Sequence, residues 1–256
     1  MTATTDDLDT RTKAGQAPPA AAPAAGLVAY AGAAAFVVAA VWYGLAAGYV
    51  TVARPPAPTA PGAGAQLDGA LHRWFGWFAT TLAQERLITA IAITGFLCLL
   101  PLAAFTRELA GRHRLPARIG SAAMAAGALL WVAGNVVRLG GHRAVGLMAT
   151  HQNPIQTINA ILFTTDTIAD TFELAAFAVL GVALVAFAGA AAGSRAVPRA
   201  WCGYSLLLGV VLLGLSGAYA AADDNLINLF LVAGGALLLP AWLVWTGHLL
   251  RAEASR

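Results

Sequence analysis

Charge is what this chain has least of. Charged residues make up 11% of its 256 residues, where an ordinary soluble domain carries about 25%, so the usual water-facing surface cannot be built from it. Lysine is nearly missing, with Lys13 alone beside fourteen arginines. Those basic residues are scattered between apolar runs and form no stripe with interleaved aromatics, which removes nucleic acid as a partner. Cysteine is scarce too: Cys98 lies within one apolar run and Cys202 at the start of another, and two such thiols make no disulfide framework. The GxSxG, P-loop, HExxH and GxGxxG patterns are all missing, so the common hydrolytic, nucleotide and zinc chemistries lack their residues.

What remains is apolar. Hydrophobic residues are 59% of the chain and the mean hydropathy is +0.71. Runs near twenty residues recur, each long enough to cross a hydrocarbon core of roughly 30 Å at 1.5 Å per helical residue. The pattern predicts an all-α polytopic membrane protein, a bundle of six transmembrane helices over about 26–50, 87–105, 119–139, 172–190, 201–221 and 226–250. Residues 1–25 mix Thr, Asp, Pro and Ala without an apolar period and read as a disordered cytoplasmic tail. A second short tail covers 251–256. The first run, from Gly26 to Val50, exceeds the core of a secretory signal and reads as a retained span.

Three local features refine this layout. Leu67, Leu71, Trp74, Phe75, Phe78 and Leu82 share one helical face, so about 67–82 is expected as an extracytoplasmic interfacial helix or a cap on the bundle. Gly140 and Gly141 read as the stop of the third span. Asn153 and Pro154 read as the N-cap and first residue of the fourth helix, which would be roughly 54 Å long if carried to Gly189 and must then project from the membrane or break. Pro240 is expected to kink the last span.

Orientation follows from Arg and Lys beside the spans. Arg11, Lys13, Arg107, Arg112, Arg114, Arg118, Arg195, Arg199, Arg251 and Arg256 fall on one side, against Arg54, Arg73, Arg86, Arg138 and Arg143 on the other. The richer side is expected in the cytoplasm, with both termini there.

One polar constellation stands out. Asp166, Asp170 and Glu173 lie at i, i+4 and i+7, and Asn135, Arg138 and His142 lie at i, i+3 and i+7 of the preceding span. From Arg118 to Arg138 is about 30 Å of helix, and from Arg195 back to Glu173 about 33 Å, so both groups reach the same outer boundary. Antiparallel neighbours then bring Arg138 beside Glu173 or Asp170. The group reads either as a proton or cation site at the mouth of the bundle or as an interfacial ion pair that fixes two helices. The histidines His72, His113, His142, His151 and His248 are not paired within facing spans as a haem would need. His142 and His151 with Asp166 near are the one arrangement that a metal could use, but no tight ligand motif supports it. No metal or cofactor is expected. Ser205, Ser216 and Cys98 read as lone polar atoms, and Gly209, Gly214, Gly217 and Ala218 as a small-residue face for close helix packing, within the bundle or against a partner.

The segment WVAGNVVRLGGHRAVGLMA from Trp131, followed by NPIQTINAILFTTDTIADTFELAAFAVLG from Asn153, together with the order of elements, resembles the uncharacterised six-span membrane proteins of high-GC bacteria grouped as domains of unknown function. The arginine and alanine bias has the same flavour. The resemblance implies a multi-pass protein of the bacterial inner membrane and carries over no activity and no site residue. Two functions are then expected: a non-catalytic accessory or assembly component, with the lipid bilayer and a membrane protein or second copy as partners, or a proton- or cation-coupled carrier of small solutes using the acidic stripe. A membrane enzyme ranks behind both.

Overall fold

The computed structural model describes residues 21–53, 64–151, 153–194 and 197–254, with side-chain surroundings for 24–42, 83–151, 153–194 and 197–253. The fold is all-α: α1 (Ala21–Ala53), α2 (Gly64–Gly111), α3 (Leu115–Thr150), α4 (Ile155–Ala191), α5 (Arg199–Ala221), α6 (Asp224–Phe230), a π-helical segment (Leu231–Leu238) and α7 (Leu239–Ala254), with no strand among the described residues. Six helices are long and apolar enough to cross a membrane, α6, the π segment and α7 together making the sixth. This is a polytopic bundle.

Sequence neighbours pack as spatial neighbours from α1 through α6, and α7 returns to lie against α1, so the helices close into a ring with α2 also touching α4 across it. In α4 56% of the most apolar window is buried, against 28–39% in the other spans, which makes it the most enclosed helix. Leu99 and Leu102 of α2, Leu184 and Phe187 of α4, Trp201 of α5, and Trp242 and Leu243 of α7 share one core. Outward-facing Val37, Leu97, Leu129, Val136, Val182, Leu207 and Val210 are exposed, as residues facing hydrocarbon instead of water should be.

The most extensive pairing is α3 with α4, and glycine makes it possible. Gly120, Gly127, Gly134 and Gly141 recur every seven residues. A methyl at the first three would lie 3.1, 3.0 and 3.1 Å from the carbonyl oxygens of Ala183, Ala176 and Ala169, themselves seven apart, and one at Gly141 would enter Thr165. Small residues repeated at the coiled-coil period let two backbones run side by side over many turns.

Several expectations are corrected. Gly140 and Gly141 do not end α3, which continues to Thr150. Gly140 has no neighbour a side chain would touch, and Gly141 is where α4 comes closest, so neither serves as a stop. The fourth helix does not break: it runs from Ile155 to Ala191, 37 residues or about 55 Å, longer than a bilayer with its headgroups at about 40–45 Å. Pro154, not Asn153, holds the N-cap position, while Asn153 turns back and donates its side-chain amide to the Met148 carbonyl at 3.2 Å, closing α3. Val145, Ile155 and Ile158 form a small apolar core at this end of the hairpin.

Residues 67–82 are helical, but they continue into the second span as the first part of the 48-residue α2. Their side chains, residues 1–20 of the tail expected over 1–25 and the terminal 255–256 lie outside the described residues, while 21–25, expected as disordered, already belong to α1. In the last span Pro240 sits just beyond eight residues wound as π-helix, a wider spiral whose backbone bonds skip one residue further than in an α-helix. The Leu238 carbonyl there accepts from the Tyr204 hydroxyl at 3.1 Å.

Candidate functional site

The two polar triplets meet as their spacing predicts. Asn135, Arg138 and His142 project from one face of α3 onto Asp166, Asp170 and Glu173 of α4, alongside the stretch of the seam where Gly134 meets Ala169 and Gly141 meets Thr165.

Glu173 is the buried centre, its side chain 6% exposed. Its Oε1 accepts from Arg138 Nη1 and from Asn135 Nδ2 at 3.1 Å, and its Oε2 accepts from the Tyr219 hydroxyl of α5 at 2.7 Å. Asn135 also donates to the Trp131 carbonyl at 3.1 Å, so its amide is fixed by its own helix. Three donors around one carboxylate supply what water would otherwise provide to a buried ion. Arg138 reaches outward with Nη2, 2.6 Å from Asp170 Oδ1, and its Nε lies 3.8 Å from Asp166 Oδ1. One guanidinium thus addresses three carboxylates, a use of its planar fork that a lysine could not copy.

His142 forms the second half. Its Nδ1 is 2.6 Å from Glu85 Oε1 of α2 and its Nε2 is 2.9 Å from Asp166 Oδ1 of α4. Asp166 therefore belongs to both halves, and the network ties α2, α3, α4 and α5 together. Beside it Ser216 of α5 donates to the Leu174 carbonyl at 2.9 Å.

Two members escape the reading of the sequence. Glu85 stands between Gln84 and Arg86 at the head of an apolar run, where it reads as one more flanking charge. Tyr219 carries a signal that the arithmetic used for Arg138 would have found: it is 20 residues from Arg199, about 30 Å of helix and the same depth.

The chemistry open to this cluster is ionic and protonic. Four carboxylates face one guanidinium and one imidazole. Among the described residues no group of three His, Cys, Asp or Glu side chains is arranged to hold a metal ion. His151 turns to the Leu147 carbonyl of its own helix at 2.7 Å, and His248 shares a hydrogen bond with the Tyr30 hydroxyl at 3.1 Å. Ser205 is not a lone polar atom, since it accepts from Trp242 Nε1 at 2.8 Å. Of the small-residue face on α5, Gly209 packs against Gly181 of α4, and Gly217 has nothing within 4 Å.

Comparison of the chain with models of known protein families, with curated proteins and with solved structures finds no match. The class defined by fold and cluster together is a six-helix polytopic membrane bundle with an ionic network joining four of its helices near one end.

Proposed function

We propose that this protein is a non-catalytic component of a bacterial cytoplasmic membrane, an accessory or assembly subunit whose ionic network is a clasp that sets the positions of α2 to α5. The observation that carries this reading is the environment of Glu173. It accepts from Arg138, Asn135 and Tyr219, three donors on two neighbouring helices, and a carboxylate so fully engaged is suited to holding helices in place. The basic ends of the helices, with Arg107, Arg112, Arg114, Arg118, Arg199 and Arg251, support an orientation with those ends and both termini in the cytoplasm. On that orientation the clasp sits at the opposite rim, and the end of α3 with the start of α4 stands outside.

The test is purification under mild solubilisation. Stable association with another membrane protein, lost when Arg138→Met loosens the clasp and regained in a folded Arg138→Met/Glu173→Met variant, is the expected result.

A second reading, a proton- or cation-coupled carrier of small solutes, draws support from the surplus of carboxylates and from Asp170, whose side chain is 52% exposed. Asp170→Asn with Glu173→Gln separates the two. Loss of pH-driven flux in vesicles from a variant that folds normally would replace the accessory reading with the carrier.

A further inference from the structure

We propose that Glu85, His142 and Asp166 form a binding site for one proton, which pins the segment of α2 around Glu85 to the α3–α4 hairpin and lets that segment go when it is emptied. The argument begins with counting hydrogens. An ionised carboxylate can only accept a hydrogen bond, and a neutral imidazole has one N–H and one bare nitrogen. Both ring nitrogens of His142 lie at hydrogen-bond distance from a carboxylate oxygen, 2.6 Å on the Glu85 side and 2.9 Å on the Asp166 side. Two ionised acceptors require two N–H donors, so the arrangement holds one proton more than a neutral ring and two carboxylates carry. The ring is 8% exposed, so it is largely walled from the water that could otherwise bridge a mismatch.

Groups around the ring set what happens when the proton leaves. From α3, Arg138 stands one turn back with its Nε 3.8 Å from Asp166, and Arg143 is exposed. From α4, Asp166 faces the ring and Asp170 lies one turn on, held by Arg138. From α2, Glu85 faces the ring and Arg86 is exposed. A deprotonated ring turns a lone pair toward one carboxylate with no hydrogen between them. Asp166 retains Arg138, whereas Glu85, among the described residues, has no second cation within ion-pair distance. Glu85 is also 31% exposed and can be hydrated. The contact that gives way is therefore the one to α2. The site shares Asp166 with the half of the network centred on Glu173, and the inference holds under either reading of function.

The test uses the full chain in lipid nanodiscs with ¹⁵N-labelled histidine. At pH 7.5 both ring nitrogens of His142, identified by their loss in His142→Asn, are expected at imidazolium positions. A neutral pattern at that pH, with one bare nitrogen, would overturn the assignment of the proton to the ring. The second arm places spin labels at Ala83→Cys and Thr167→Cys, both exposed positions, with Cys98 and Cys202 replaced by Ala. The short-distance population is expected to be lost as pH rises through the titration seen by NMR. In Glu85→Gln, whose amide can donate to a bare ring nitrogen, the distance should stay short throughout. This variant keeps the test open should His142→Asn not fold. An unchanged distance across the titration in the otherwise unsubstituted chain would sink the release of that segment of α2.

Discussion

The two ends of the bundle are fastened by different chemistry. At one end Arg138 and His142 meet four carboxylates from two helices. At the other, α5 and α7 are joined by neutral pairs: Trp201 Nε1 donates to Thr246 Oγ1 at 3.1 Å and Trp242 Nε1 to Ser205 Oγ at 2.8 Å, all four residues buried. Nearby Arg114 donates to the Ala190 and Gly193 carbonyls and so closes the end of α4. Neutral pairs can be enclosed completely because neither partner carries a charge to desolvate. The ionic end keeps Asp170 and Asp166 within reach of water and encloses fully the one carboxylate that has three donors. Charge makes the first fastening strong and fragile, and its absence makes the second weaker and more forgiving.

The contrast is broken most directly at Arg138. Arg138→Met leaves Glu173 enclosed without its cation and is expected to cost about 3–5 kcal/mol, while Arg138→Met/Glu173→Met should recover most of that loss. Reversible unfolding in mixed micelles measures both, and a single variant as mild as the neutral ones would erase the distinction. Between the two ends the hairpin depends on closeness alone. Gly134→Val drives a side chain toward Phe172 and the Ala169 carbonyl and is expected to cost about 1–3 kcal/mol. Gly140→Ala, which meets nothing within 4 Å, should stay within about 0.5 kcal/mol. At the neutral end Ser205→Ala leaves the Trp242 N–H unpaired, for about 1 kcal/mol by the same unfolding assay. Asp170→Asn is the mildest change expected within the ionic network, below about 1 kcal/mol because its side chain is half in solvent. A larger loss there would mean that Asp170 shares the burden assigned to Glu173.

How much of this was legible beforehand depends on the range of each signal. The apolar runs announced six spans because hydropathy is a property of contiguous residues. The triplets at 135, 138 and 142 and at 166, 170 and 173 were legible because helical spacing is local and depth follows from counting from the basic ends. Glu85 was not, since its partner His142 is 57 positions away and nothing in the intervening residues marks the pair. Gly141 did not mark a stop because glycine punctuates helices in water, whereas between packed helices it admits a neighbour, here Thr165; Gly140 beside it meets nothing within 4 Å. The seven-residue glycine repeat of α3 sets its members two turns apart, wider than the four-residue spacing of Gly214 and Ala218 by which the small-residue face of α5 shows itself. The π segment had a neighbouring sign in Pro240, but proline signals a distortion without specifying which residues absorb it.

The glycine repeat limits how the hairpin can move. If α3 slipped past α4 by four residues, Met124, Trp131 and Arg138 would arrive where Gly120, Gly127 and Gly134 now admit the alanine carbonyls. The next register with glycines in step lies seven residues away, about 10 Å along the axis. Like a ratchet with widely spaced teeth, the pair resists sliding and must tilt or turn as one stiff rod. A push on the connection at 151–154 therefore reaches the opposite end of α4 with little of the displacement absorbed on the way.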